Sequence, residues 1–183
     1  TSGQGIWQKV PDAEKKAYGS DYIQDKNIPG GLRTSEKGCF LSHKRAIEIS
    51  LKDQGHALIL EDDAIIGPST FSLLTNAINA KQNDFDFIYT DACIPEIENM
   101  VILFKIREEL IAKNAIQLLD LKDINFAGAS AYLVHQNFKQ KYFEILCNYQ
   151  RLDLPYDLFI KKMVFERKLK TFLTFPFITS LSD

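Results

Sequence analysis

The spacing of apolar residues along the chain predicts several helices. Phe40, Ile47 and Leu51 recur at helical intervals behind Ser35, and Gly55 follows where a glycine commonly ends a helix. Three more helices are predicted over residues 70–80, 137–149 and 156–166, the first and the last of them behind a proline.

Short apolar runs predict the strands. Residues 57–60 are continuously apolar, which is typical of a strand buried on both faces of a mostly parallel sheet. Three further strands are predicted over residues 85–90, 126–134 and 170–178, and residues 98–106 and 115–121 fit a strand or a mixed element. Strands that alternate with helices predict a single α/β domain, with a mostly parallel sheet flanked by helices.

Acidic residues directly follow two of the predicted strands. Glu61, Asp62 and Asp63 come after the first apolar run, and Asp91 comes after the strand at 85–90. Sites in open α/β sheets lie at the carboxyl ends of strands, and neighbouring carboxylates favour a compensating cation. The pattern therefore predicts a site for Mg²⁺ or Mn²⁺, which prefer oxygen ligands. The alternative is a solvated acidic turn that caps the next segment.

Charge and cysteine content narrow the partners and the compartment. Lys and Arg number 22 against 24 Asp and Glu, so no overall field favours binding to nucleic acid. The three cysteines are scattered without a Cys-x-x-Cys pair, which suits a reducing cytoplasm. The chain begins without the basic-then-apolar order of an export signal, and its apolar runs are too short to cross a bilayer. We therefore expect a cytoplasmic protein.

Two segments resemble the paired signature of glycosyltransferase family 25: Gly38-Cys39-Phe40-Leu41-Ser42-His43 and Leu58-Ile59-Leu60-Glu61-Asp62-Asp63. That family includes bacterial lipopolysaccharide and lipooligosaccharide galactosyltransferases. Weaker similarities follow in the family's order at Gly128–Val134, Pro155-Tyr156-Asp157 and Phe175-Pro176-Phe177. The resemblance implies a GT-A-like (Rossmann-like) fold. It also implies inverting, metal-assisted transfer of galactose or glucose from a UDP-sugar to a saccharide acceptor in lipopolysaccharide or lipooligosaccharide assembly.

The resemblance further implies which residues hold the donor. Asp62 and Asp63 would hold the Mn²⁺ or Mg²⁺ ion, and Glu61 or Asp62 would assist through water or ribose contacts. Ser42 and His43 would contact the donor. A histidine on such a helix is also typical of a hydrogen-bonded core residue.

The general base, which takes the proton from the acceptor hydroxyl, has two candidates. Asp157 is the first, because it matches the family's Pro-x-Asp segment and begins a helix, where the dipole favours a carboxylate. An acid after Pro155 is equally common at an ordinary helix start. Asp91 is the second candidate.

The opening segment departs from the family. Residues 1–34 show no regular apolar spacing, predict a loop-rich segment with one short helix near 12–17, and lack the family's first strand. We expect residues 35–183 to form the matching core, in a chain that is truncated at its start or divergent in its donor site. Two other functions stay open. One is a metal-dependent phosphate-ester hydrolase, and the other is a non-catalytic remnant or sugar-binding domain.

A basic and aromatic cluster near the C-terminus predicts a second interaction. Its members are Lys161, Lys162, Phe165, Arg167, Lys168, Lys170, Phe172 and Phe175. They would favour peripheral contact with anionic lipid at the inner face of the cytoplasmic membrane, where a lipid-linked acceptor lies. The alternative is a solvated helix face with core aromatics, since Glu166 interrupts the cluster.

Overall fold

The structure, a computed structural model, describes residues 32–82, 84–150 and 152–182. The predicted short helix near 12–17 lies outside these residues. Contacts divide the described chain into two compact units. The first takes in residues 32–54 and 137–159, and the second takes in 55–136 and 160–182.

The elements follow one another in an α/β order. They are helix α1 (Thr34–Ser50), strands β1 (Ala57–Leu60) and β2 (Ala64–Ile66), helix α2 (Thr70–Lys81), strand β3 (Phe87–Tyr89), helix α3 (Ile97–Ala112), strand β4 (Gln117–Asp120) with a 3₁₀ turn (Leu121–Asp123), strand β5 (Ala131–Val134), helices α4 (Lys139–Asn148) and α5 (Tyr156–Phe165), and strands β6 (Thr171–Phe175) and β7 (Thr179–Leu181). The predicted α/β class is therefore confirmed.

Aromatic packing and buried polar pairs hold the first unit together. The ring of Phe40 on α1 lies 5.4 Å from that of Tyr156, edge to face, which is a favourable aromatic geometry. The Tyr142 hydroxyl is 2.8 Å from that of Tyr156, inside the same core. The buried amine of Lys139 donates to the carbonyls of Ser50 and Asp53, each at 2.7 Å. These carbonyls lie where α1 ends and have no partner inside the helix, so Lys139 stabilises that terminus.

A five-stranded sheet in the order β1-β5-β3-β6-β4 forms the centre of the second unit. β5 runs antiparallel to both β1 and β3, and β4 runs antiparallel to β6. Only β3 and β6 pair in parallel within this sheet, and β2 and β7 form a separate antiparallel pair. The prediction of a mostly parallel sheet is therefore wrong, because the observed sheet is mixed and mostly antiparallel.

The position of β1 explains that error. β1 is an edge strand of the sheet, yet both of its faces are covered. Ala57 and Ile59 are buried on one face, and Leu58 packs from the other against the cluster that contains Leu133 and Phe172. A continuous apolar run reports burial on both faces, which a layered antiparallel sheet also provides.

Three predicted elements differ in detail from those observed. The stretch 98–106, which fitted a strand or a mixed element, lies inside α3. Its sequence was ambiguous because apolar residues occur all round the helix and leave no clear period. The strand predicted over 126–134 is restricted to β5, and Gly128 before it has a φ of +88°. The strand predicted over 170–178 ends as β6 at Phe175, which is followed by a cis peptide bond to Pro176. Among the described residues, no helix combines the length and the apolar character that crossing a membrane requires.

Candidate functional site

The acidic turn after β1 is fixed by backbone hydrogen bonds from three directions. The Glu61 N–H donates to the Ser130 carbonyl at 2.7 Å, next to the start of β5. The Ala64 N–H donates to the Glu61 carbonyl at 3.2 Å and closes the turn. The Ser182 N–H donates to the Asp63 carbonyl at 2.9 Å, just after β7. Glu61 is half-buried and Asp63 is exposed, so a defined backbone presents both carboxylates to solvent.

Asp91 lies at the same end of the sheet as this turn. β1 and β3 are both antiparallel to β5, so they run in the same direction and their carboxyl ends flank the start of β5. Asp91 follows β3 and is half-buried. Burial raises the pKa of its carboxyl group, and the charges of Asp63 and Glu61 raise that pKa further. The convergence expected from strand ends is therefore present, although β5 separates the two strands.

Ser130 links the two acidic segments and was missed by the sequence analysis. Its carbonyl accepts from Glu61, and its hydroxyl donates to the Asp91 carboxylate (Oδ1) at 2.7 Å. This hydrogen bond favours ionised Asp91 and partly opposes the rise in its pKa. The sequence feature that could have identified it is a hydroxyl side chain just before β5, in a run of residues whose small size alone was considered.

A buried layer of threonines supports the end of β3 next to Asp91. The Thr90 hydroxyl is 3.1 Å from the Ala131 carbonyl and 2.8 Å from the Thr179 hydroxyl. The Ile178 N–H donates to the Thr90 carbonyl at 3.0 Å. These bonds tie β3 to β5 and to the segment after β6, so the backbone before Asp91 has little freedom to move.

The acidic end has the chemistry of a divalent-cation site. Glu61, Asp63 and Asp91 offer carboxylate oxygens, the donors that Mg²⁺ and Mn²⁺ prefer. Like charges that raise a neighbour's pKa are relieved when a cation binds. Asp62 is exposed in the same turn. This donor set fits the predicted metal.

The predicted donor and base residues Ser42, His43 and Asp157 belong to the first unit. The Ser42 hydroxyl donates to the Gly38 carbonyl one turn back in α1, at 2.9 Å. The buried His43 ring stacks on that of Tyr156, with centroids 4.0 Å apart and planes 2° apart. Asp157 is half-buried in the first turn of α5. The sequence-based roles of these three residues stay predictions.

The basic cluster near the C-terminus contacts acids and the core. Lys168 pairs with Glu166 at 2.6 Å, Arg167 with Asp123 at 3.7 Å, and Lys170 with Asp84. Lys161 donates to the Asn125 side chain, and Lys162 is exposed on α5. Phe172 and Phe175 are buried in β6, whereas Phe165 is 45% exposed. Most of these groups therefore serve local pairing or the core, and the membrane contact stays a prediction.

Comparison with known proteins gives one family match. The model of glycosyltransferase family 25, described as an LPS biosynthesis protein, matches residues 5–160. The match takes in most of the opening segment 1–34 and ends before Phe175-Pro176-Phe177. The comparison with curated proteins gives no significant match.

Proposed function

This chain belongs to glycosyltransferase family 25, and on that premise we propose that its acidic sheet end binds and activates a nucleotide-sugar. The family makes it a glycosyltransferase of lipopolysaccharide biosynthesis. The reaction we propose moves galactose or glucose from a UDP-sugar to a saccharide acceptor, with inversion at the anomeric carbon. The observation that carries the proposal is the convergence of Glu61 and Asp91 on Ser130, with Asp63 near enough for its charge to act on Asp91.

Asp63 is the main metal ligand in this proposal, with Asp62 beside it. Both are exposed in a turn whose backbone is fixed, so their carboxylates can meet a diphosphate at the surface. Bound Mn²⁺ or Mg²⁺ supplies positive charge against the charge that grows on the leaving diphosphate. Glu61 is half-buried next to Ser130 and would accept hydrogen bonds from water or from the ribose of the donor.

Asp91 is the general base in this proposal, because its position at the end of β3 partly buries its carboxylate. Inversion needs one displacement, in which the acceptor oxygen bonds to the anomeric carbon as the bond to the diphosphate oxygen breaks. The acceptor proton passes to a carboxylate, which works best when its pKa lies nearer neutrality. Burial, the largest cause of the shift, moves the pKa of Asp91 in that direction and does not depend on the charges of the acids that would hold the metal. Asp157 remains the candidate that the family's Pro-x-Asp segment supplies.

The GT-A-like donor site belongs to the same proposal. Nucleotide sites in α/β folds lie beyond the carboxyl ends of strands that run in the same direction, as β1 and β3 do. The loop after each strand supplies an acid, and the start of β5 supplies Ser130 between them.

The test is Asp63→Ala, assayed for UDP-sugar turnover and for UDP binding by titration calorimetry with and without Mn²⁺. We expect metal-dependent UDP binding in the wild type and a loss of about 100-fold or more in turnover in the variant, since it removes the main metal ligand. The matched control is Asp123→Ala, which removes an exposed acid that pairs with Arg167 and should leave turnover and UDP binding unchanged.

Two results would count against the proposal. Turnover by Asp63→Ala equal to that of the wild type would discard the metal site. Release of phosphate from simple esters, without sugar transfer, would favour the hydrolase instead.

A further inference from the structure

The outward face of helix α3 carries an exposed apolar stripe. Ile97, Val101 and Phe104 recur at intervals of four and three residues, so they share one face of the helix. Their exposed fractions are 75%, 47% and 66%. Met100 and Ile111 extend the stripe along the same face and are also exposed. Large apolar side chains in one contiguous stripe mark an interaction surface rather than ordinary scatter.

The opposite face of α3 accounts for how the helix is held in the second unit. Leu103 is buried, and Ile106 and Leu110 are half-buried at helical intervals from it. The helix is therefore apolar on two opposite faces. A helix that is apolar all round is normally covered all round, so the outward stripe needs a cover of its own.

Charged residues border the stripe in a symmetric pattern. Glu98 and Lys105 lie about two turns apart on one flank, and Glu96 and Arg107 lie about three turns apart on the other. Both pairs are centred on the peptide between Val101 and Ile102. Among the described residues, Glu98, Lys105 and Arg107 have no ion-pair partner. In each of these two pairs the acid precedes the centre and the base follows it, so the pairs are self-complementary for antiparallel pairing.

We propose that the outward face of α3 binds α3 of a second copy of this chain, antiparallel across a two-fold axis next to that central peptide. A two-fold interface places the same patch on both sides, and each flank then faces itself in reverse. Glu98 meets Lys105 of the second copy, and Glu96 meets Arg107 of the second copy. Phe104 enters the space between Ile97 and Val101 of the second copy, as a knob enters a hole.

The antiparallel arrangement also accounts for Glu108, an acid that lies within the apolar stripe. Glu108 follows Phe104 by one turn on the outward face and would interrupt an apolar contact. In the antiparallel pair it lies beside the N-terminus of α3 in the second copy, where the helix dipole favours a carboxylate.

The size of the contact sets the expected strength. One pair of helices is at the lower end of stable protein interfaces, so we expect dissociation constants of about micromolar order. The dimer should therefore form and separate as the protein is diluted through that range.

The test is a charge-reversal set measured by sedimentation over a range of protein concentrations. We expect the wild type to dimerise, and Glu98→Lys and Lys105→Glu to weaken dimerisation at least about tenfold each, because each places like charges in both contacts. The double variant Glu98→Lys/Lys105→Glu should regain the dimer. An equimolar mixture of the two single variants should form a mixed dimer, because unlike charges meet again in both contacts.

A matched control and the opposite outcomes complete the test. Asp123→Lys makes the same change of net charge outside α3, at an exposed residue that pairs with Arg167, and should leave the dimer unchanged. A wild type that stays monomeric, or single variants whose mixture stays monomeric, would overturn the proposal. Binding to anionic phospholipid vesicles tests whether lipid covers the stripe instead. If the wild type stays monomeric and binds the vesicles, and Glu98→Lys binds them more strongly, the stripe binds lipid and not a second copy.

Discussion

The two ends of the β1-β5-β3 ladder carry titratable groups in opposite arrangements. At one end, Glu61 and Asp91 are hydrogen-bonded to Ser130, and burial, together with the charges of Asp63 and Glu61, raises the pKa of Asp91. At the other end, His56 precedes β1, Asp86 precedes β3 and His135 follows β5. The same three strands carry the titratable groups at both ends, so the strands themselves do not explain why the two arrangements differ.

At the end with the histidines, hydrogen bonds pair the Asp86 carboxylate, the Asp86 carbonyl and the His56 ring. The Asp86 carboxylate accepts from the Lys170 N–H at 2.8 Å, and the Asp86 carbonyl accepts from the His135 N–H at 2.9 Å. His56 Nδ1 accepts from the Gln136 N–H at 3.1 Å. The His135 ring lies 4.8 Å from that of His56 and 4.9 Å from that of Phe85. Hydrogen bonds and ring contacts there stabilise the fold without an added ligand.

This contrast separates a stabilising end from the end that we propose binds the metal and the donor. Paired groups contribute to folding, whereas gathered acids oppose it until a cation or a proton relieves them. Binding sites commonly keep such unfavourable groups because function needs them. Loss of an aspartate carboxylate should therefore change the free energy of unfolding in opposite directions at the two ends.

The largest effect is expected from Asp91→Asn. Loss of the proposed base should lower turnover by about 100-fold or more, while Mn²⁺-dependent UDP binding persists through Asp63. The free energy of unfolding in metal-free buffer should stay equal or rise, because one member of a repelling set becomes neutral. Steady-state kinetics, calorimetry and urea unfolding measure these three quantities.

Asp157→Asn is the comparison that decides between the two bases. A large loss of turnover in Asp157→Asn, with full turnover in Asp91→Asn, would assign the base to the Pro-x-Asp segment. Loss of UDP binding together with turnover in Asp91→Asn would make Asp91 a metal ligand instead.

A smaller effect of the opposite kind is expected from Asp86→Ala at the stabilising end. The change removes the acceptor of the Lys170 N–H, and we expect the free energy of unfolding to fall by about 1 kcal/mol. Turnover should change little when measured well below the melting temperature. Urea unfolding tests this expectation, and an unchanged midpoint would show that the carboxylate contributes nothing at this end.

The sequence predicted the helices and the place of the acids at strand ends better than it predicted the sheet. The helix at 70–80 was predicted correctly from the turn and the proline that precede it, because helix signals are local. The pairing of β1 with β5 joins residues far apart in the chain, and no local pattern encodes its direction. An apolar run therefore predicted burial correctly and pairing wrongly.

The acids were found because they follow strands, and strand ends could be predicted locally. Their convergence needed only that β1 and β3 run in the same direction, which the antiparallel β5 between them provides. Ser130 could not be placed without the register of β5, because its role depends on which residues lie opposite it. The site was thus predictable in its charges and not in the hydroxyl group that joins them.

The smallest effect is expected from the pH dependence of the stabilising end. Burial lowers the pKa of His135 below 6.5, although the charge of Asp86 partly opposes this. A lowered pKa in the folded state means that the stabilisation is complete above pH 6.5 and is lost as the pH falls through the lowered value. In His135→Gln the free energy of unfolding should therefore fall less steeply below pH 6.5 than in the wild type. The difference between the two proteins should be smaller than the effect of Asp86→Ala. Urea unfolding over a pH series measures both slopes, and equal slopes in the wild type and the variant would mean that His135 does not cause the acid dependence.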